Sequence, residues 1–469
     1  MTNKRKIFIM KTRITLVLAL LFFVSNTSFA QQDEEAMTKL SIFHEYVKAK
    51  NFDAAYQPWM DVRTKYPKFN NAIYIDGEKI LEHKIENSSG AEKVAFLEDL
   101  MKMWKERQEN FASKTPKGEY AANACQLMYD NKDLLKKTDL EIYECFDAAY
   151  QLDKATFTNP KSLYTYFSLM VDLYDAGKKP AQDLFNKYDD VVEKVEDEVK
   201  NYSEKLNVLI EKEDAGTPLT NKEGKLKSYY ESYLSAYDKI ASSIDSKLGE
   251  RANCENLIPL YQKGFEDNKT NAIWLQRAAG KMSEKDCTDD PLFFKLVNAY
   301  HELSPSANSA YYLGILKDKE GKTNEAIAFY EEAIKLETDN FKKARLNNNI
   351  ALKLKAKGNY GRARSYFREA LRLNPSNGHP YLSIAAMYAA SANDCGDSNF
   401  NKRAVFWLAA EEARKAGRVD ATLKSASAQT AENYLSKAPQ KAEIFSAGNS
   451  GQTISIGCWI GASVVVPKI

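Results

Sequence analysis

The sequence predicts an all-α protein: a superhelix of stacked helical hairpins, interrupted by one long antiparallel helical hairpin and closed by a short β-tail. Three observations predict this class. A block near residue 321 recurs position for position 37 residues later. Between 180 and 248 the apolar residues advance by threes and fours, the period of a helix face. Over the last 17 residues that spacing gives way to alternation, the period of a strand.

The chain starts with Lys4, Arg5, Lys6, Lys11 and Arg13, then the apolar run Ile14 to Val24, then Ser28 and Ala30. A basic start, an apolar run of this length and small residues at its end predict a secretory signal peptide over 1–30, cleaved before Gln31. Eleven apolar residues are too few to span a bilayer as a helix, which takes roughly 20. No later apolar run reaches that length, so a soluble exported product is expected. Residues 31–469 carry 61 basic and 64 acidic side chains, a balance of −3. That near-neutrality gives no electrostatic case for nucleic acid, whose binders show a basic excess. All six cysteines lie after residue 30, and an even count in an exported chain favours disulfides. Of the fifteen possible pairings, the economical one joins neighbours: Cys125 with Cys145, Cys254 with Cys287, Cys395 with Cys458. A metal centre is not expected, because there is no C-x-x-C and His44, His83, His301 and His379 are scattered.

The repeat organises the rest. Gly321, Ala326, Tyr330 and Ala333 recur as Gly358, Ala363, Phe367 and Ala370, and Leu313-Gly314 recurs as Ile350-Ala351. Small residues stand where two helices must approach closely, large rings fill the gap to the next hairpin, and the glycines allow the turns. This pattern resembles the tetratricopeptide repeat, a two-helix unit that cannot bury its apolar face alone and therefore stacks. Three units are expected at 307–340, 344–377 and 378–423, with a capping helix running to 438. The third has twelve residues inserted around "NDCGDSNFNKR", which places Cys395 on a loop at the hairpin's tip.

Earlier segments repeat the spacing more loosely. Phe52, Ala55, Trp59, Val62 and Pro67 fall at the offsets of Tyr360, Ala363, Phe367, Ala370 and Pro375, so 31–158 reads as similar hairpins. Cys125 and Cys145 would face each other across one of them. Residues 251–306 read as degenerate units, with Cys254 starting a helix and Cys287 in a turn. In 159–250, Leu184, Tyr188, Val191, Val195, Val199, Tyr202, Leu206 and Leu209 form one seam. Leu226, Tyr230, Tyr233, Tyr237, Ile240, Ile244 and Leu248 form the other. This extended hairpin either projects as an arm toward a partner or packs as an enlarged repeat. From 439 to 469 a β-tail is expected, with "SVVVP" as second strand and Cys458 tied to Cys395. A sorting role for the tail is the alternative.

No catalytic signature is present: G-x-S-x-G, H-E-x-x-H, G-x-G-x-x-G and the phosphate-binding loop are all missing. Neither a catalytic residue nor a cofactor is expected, and binding is the expected activity. In the family that the repeats resemble, the first helix of each hairpin lines a concave groove. That resemblance implies Asn308, Tyr311, Arg345, Asn348, Asn349, Leu352, Lys355, His379 and Leu382 as groove residues. Three consecutive asparagines, Asn347 to Asn349, are poor helix formers, so they either grip a peptide backbone or satisfy their own helix. A carboxylate clamp known in such grooves is matched only by Asn349. Tyr311, Ile315, His379 and Ser383 stand where its other ligands would be.

The signal, "PLFFKLVNAYHELSPSANSAYYLGIL", "NDCGDSNFNKRAVFW" and the terminal "IGCWI" resemble exported tetratricopeptide proteins of Bacteroidota. The resemblance implies a periplasmic scaffold binding cell-envelope proteins. A glycan-binding or transport accessory is the alternative.

Overall fold

A computed structural model describes residues 34–469, so the expected signal peptide lies outside the described residues. The described residues form 21 α-helices and one two-stranded sheet. They fall into two compact units, divided in the chain between Leu169 and Met170.

The first unit contains α1 (34–48), α2 (Phe52–Lys65), α3 (Ala72–Glu86), α4 (Gly90–Asn110), α5 (Lys117–Asp130) and α6 (Asp139–Leu152). It also holds the start of α7 (Pro160–Asp175). Its core is built around Phe43, Trp59, Ile73, Tyr74, Ile80, Leu97 and Met103, all without solvent exposure. Trp59 is buried whole because its indole N–H donates to the Ile73 carbonyl at 2.7 Å. A glycine faces that ring: a Cβ on Gly77 would lie 2.5 Å from Trp59 Nε1. Arg63 is buried nearby and donates to both Asp99 and Glu106. Cys125 on α5 and Cys145 on α6 form a disulfide with Cα atoms 5.7 Å apart.

The second unit opens with α8 (Ala181–Asp214) and α9 (Asn221–Leu248), 34 and 28 residues long. At 1.5 Å per residue they extend about 50 and 42 Å. The segment 159–250 therefore holds a third helix, α7, before the long pair. Thr220 caps α9 in a reciprocal capping box with Glu223, which fixes the turn. Along the seam Leu184, Tyr188, Val191, Val195, Leu206 and Leu209 of α8 are buried, as are Tyr237, Ile244 and Leu248 of α9.

Then follow α10 (Cys254–Asn268), α11 (Ala272–Glu284), α12 (Pro291–Leu303), α13 (Ala307–Lys319), α14 (Thr323–Leu336), α15 (Asn340–Ala356), α16 (Tyr360–Leu373) and α17 (His379–Ala390). Cys254, the first residue of α10, pairs with Cys287 in the turn after α11, Cα atoms 5.5 Å apart. In the two clear repeats, Ala326, Tyr330, Ala333, Ala363, Phe367 and Ala370 are all buried. Gly321 and Gly358 adopt φ of 75° and 73°, which lets α13 turn into α14 and α15 into α16. Gly314 meets the Tyr330 ring so closely that a Cβ would sit 2.4 Å from Cε1. Gly314→Ala should therefore cost about 1–3 kcal/mol by overpacking. Gly224→Ala, where a Cβ meets nothing, should gain about 0.5–1 kcal/mol from helix propensity. Chemical denaturation of the two variants checks the contrast.

The inserted stretch contains a short turn of helix, α18 (Ala392–Cys395), so Cys395 ends a helix and is buried where a loop was expected. α19 (Asn399–Val419) and α20 (Lys424–Leu435) follow. A further helix, α21 (Lys441–Ala447), lies where a tail of strands alone was expected. Gln440 and Glu443 cap it reciprocally and Gly448, at φ 62°, ends it, so two helix breakers bound one short helix instead of abolishing it. The tail is a hairpin of β1 (Thr453–Ile456) and β2 (Ala462–Val465), antiparallel, with Thr453 opposite Val465 and Ile456 opposite Ala462. Cys458, between the strands, forms the third disulfide with Cys395, Cα atoms 5.2 Å apart.

Candidate functional site

The long hairpin packs onto the repeats through α8. From its N-terminal end onward, Tyr188 donates to Glu284, and Asp189 lies 3.8 Å from Lys281. Arg277 on α11 pairs with Asp190 and Glu193 at 3.0 Å each. Farther along α8, Glu196 pairs with Arg345 on α15, and Lys200 pairs with Asp339 at the α15 N-cap. Asn207 then donates to Asn374 at 3.1 Å and accepts the Ser376 backbone N–H at 2.9 Å. Acidic residues of α8 thus meet basic residues of the repeat helices from Asp189 to Glu196, the polarity reverses at Lys200, and neutral hydrogen bonds follow at Asn207.

This placement sorts the expected groove residues. Asn348, Leu352 and Lys355 of α15 converge with His379 and Leu382 of α17, and with Ser383, around a cavity of about 330 Å³. The convergence follows from helix geometry, since residues four and three apart share one face of α15. Leu352 is 43% exposed, an apolar side chain turned outward from a helix whose Ile350, Ala351 and Leu354 are buried. Lys355 and His379 are basic, and no carboxylate stands among the described residues of the lining. Asn349 is half-buried on the same helix but does not line the cavity.

Other expected residues lie elsewhere. Arg345 is engaged by Glu196, so its charge is taken up by the protein's own helix. Asn308 is half-buried in the first turn of α13. The Tyr311 ring packs 5.7 Å from Tyr330, and burial pushes its hydroxyl pKa up, as expected of a structural ring. Of the three asparagines, Asn347 is buried and donates to the Lys343 carbonyl at 2.8 Å, satisfying its own helix.

A second cavity of about 330 Å³ lies where the tip of the long hairpin meets α16, α17 and α19. Arg368, Lys415 and Arg418 line it with Tyr381, facing Glu213 and Asp214. Buried Glu412 accepts from both Arg368 at 2.8 Å and Lys415 at 2.9 Å, which neutralises much of that charge internally. Sequence spacing could not reveal this site, because its walls come from segments some 200 residues apart. Among the described residues no group of three or more metal-ligating side chains is assembled. Nor is any of their helices long and apolar enough to cross a membrane.

Residues 307–340 and 344–377 each match a family model of the tetratricopeptide repeat. The two clear units are tetratricopeptide repeats. A 107-residue stretch is 32% identical to the Photosystem I assembly protein Ycf3 of Cyanophora paradoxa, covering 21% of this chain. The matched stretch spans 62% of that protein's length. Among solved structures, yeast Tom70 aligns over 89% of this chain and 84% of its own, at 14% identity and a TM-score of 0.25. A human IFIT1 dimer aligns over 86% of this chain and 94% of its own, at 12% identity and a TM-score of 0.27. The cavity at Leu352 lies between the second tetratricopeptide repeat and the first helix of the unit that follows it.

Proposed function

We propose that this protein is a non-enzymatic scaffold or adaptor that binds other proteins of the cell envelope. The observation that carries the reading is the cavity formed by Asn348, Leu352, Lys355, His379 and Leu382. Side chains from two consecutive first helices converge there, an exposed leucine among them. Paired leucines offer an apolar anchor site, while Asn348 and His379 offer hydrogen bonds at its edge. The tetratricopeptide repeats support protein binding, and the 32% identical relative is itself named as an assembly protein. Export to the periplasm rests on the basic-apolar start of the chain and on three cysteine pairs at disulfide distance. A glycan-binding accessory would call for a platform of phenylalanine, tyrosine or tryptophan in the cavity, and none stands among the described residues of its lining.

A photo-crosslinker placed at Leu352 in the full chain in intact cells tests the reading. Adducts to envelope proteins, reduced at least tenfold when Leu382→Glu is added, are expected. Recovery of no protein adduct above an exposed control such as Ile273 would remove the adaptor reading.

A further inference from the structure

The turn of the C-terminal hairpin is pressed against α16 and α17. Its Gly457 N–H donates to the Cys395 carbonyl at 3.2 Å. The Trp459 indole N–H donates to Ser391 Oγ at 2.9 Å, and its ring lies 5.5 Å from both Tyr360 and Tyr388. The Arg364 guanidinium covers the same ring at 5.3 Å and donates to the Ile460 carbonyl. Ile456 of β1, Ile460 of the turn and Val466 just after β2 are buried. The chain's own indole therefore shows what this cleft accepts: an aromatic side chain with one N–H donor. Cys458 is held at φ 47°, a left-handed conformation that a non-glycine residue adopts at a cost.

Access separates this disulfide from the other two. Cys125 and Cys287 are buried and Cys145 and Cys254 half-buried, whereas Cys458 is exposed at the tip of the tail. Thiol–disulfide exchange needs a sulfur that an incoming thiolate can reach, so the pair with one exposed member, Cys458, reacts first, with buried Cys395 as the leaving group. We propose that the tail is a redox-held latch over an aromatic-recognition cleft formed by Tyr360, Arg364, Tyr388 and Ser391. Unlatched, the cleft takes an indole-bearing segment of a partner protein. The cleft is separate from the cavity at Leu352, and the latch requires the Cys395–Cys458 bond in the folded chain.

The opening step needs a dithiol reductant. One of its thiolates attacks Cys458 Sγ, the Cys395–Cys458 bond breaks, and Cys395 leaves as a thiolate that takes up a proton. The second thiol then attacks the reductant's own sulfur in the mixed disulfide, releasing Cys458, which is protonated in turn. Two electrons and two protons reach the protein, and the reductant departs as its cyclic disulfide.

The full-length protein, purified without reductant, is titrated with dithiothreitol. Differential alkylation reads each thiol, and hydrogen exchange reads the amides of 457–466. Cys395 and Cys458 should become alkylatable before the other four cysteines, with tail exchange accelerating at least tenfold at that point. A labelled peptide spanning 450–469, with Cys458→Ser, should then bind the reduced chain at least tenfold tighter than the oxidised one. Arg364→Ala and Tyr388→Ala should each weaken that binding. If either variant misfolds, unlabelled peptide lacking only the indole (Trp459→Ala) serves as the competitor and should fail to displace the probe. The proposal is overturned by a free Cys395 or Cys458 before reduction or by prior reduction of another pair. It is equally overturned by unchanged tail exchange after selective reduction, or by equal peptide binding in both states. Crosslinking at Leu352 reads the adaptor function separately, so failure of one does not imply failure of the other.

Discussion

Phe367→Ala is expected to destabilise the second unit by about 3–5 kcal/mol, the range for emptying a buried phenylalanine site. The ring has no solvent exposure and is flanked by Ala363 and Ala370, themselves at 0% and 2%. Neighbours that small cannot grow into the space, so the cavity left behind keeps nearly its full cost. Tyr330, the matching residue one repeat earlier, is 1% exposed and donates to Asp318 at 3.1 Å, so its truncation also removes a hydrogen bond from Asp318, which keeps Lys357 at 2.6 Å. Leu352→Ala on the exposed face of α15 is the control and should cost well under about 1 kcal/mol. Urea unfolding followed by circular dichroism measures all three. A Phe367→Ala chain with an unchanged midpoint would contradict the packing described for the repeats.

The second large effect depends on pH. Asp189, on α8 beneath Lys281, has its carboxyl pKa pushed up from 3.8 to about 7 by burial, against the pull of Lys281 and Arg277. The folded chain therefore holds a proton that the unfolded chain releases once pH passes about 4. Its stabilising contribution is complete below pH 3.8 and is lost as pH rises through about 7. A tenfold difference in proton affinity between the folded and unfolded chains is worth about 1.4 kcal/mol, so this group alone removes up to about 4 kcal/mol between pH 4 and 8. Asp189→Asn cannot titrate. Its unfolding midpoint should vary less with pH than the parent's, and the two curves should diverge most at pH 8. Parallel curves from pH 5 to 8 would show that Asp189 is charged throughout.

Much of this fold could be read from residue types because the deciding forces are local. Ala326, Tyr330 and their counterparts 37 positions on announce a hairpin, since each small residue has its partner ring a few residues away. Neighbouring cysteines indicate their pairing for the same reason. The inserted stretch before α19 and the strand character of the tail are also visible in the spacing. What stays hidden depends on segments distant in sequence. Periodicity shows that α8 has an apolar seam, but not that Glu196 will meet Arg345 or that Lys200 will meet Asp339. Hence Arg345 reads as a groove residue in the sequence and is engaged within the structure. The helix α21 escapes a reading in which Pro439 and Gly448 act as breakers, although each is compatible with the edge of a short helix. Trp459 carries one usable clue: a bulky ring at an alternation position held elsewhere by small or polar residues.

The course of α8 along the repeats has a mechanical consequence. An array whose modules touch only their neighbours can peel from an end, one module at a time, because no interaction reaches farther. Here a single rod is fastened at Glu284, Arg345 and Ser376, so those modules cannot part without first shedding it. Such a splint turns a chain of weakly linked joints into one stiff beam that yields all at once.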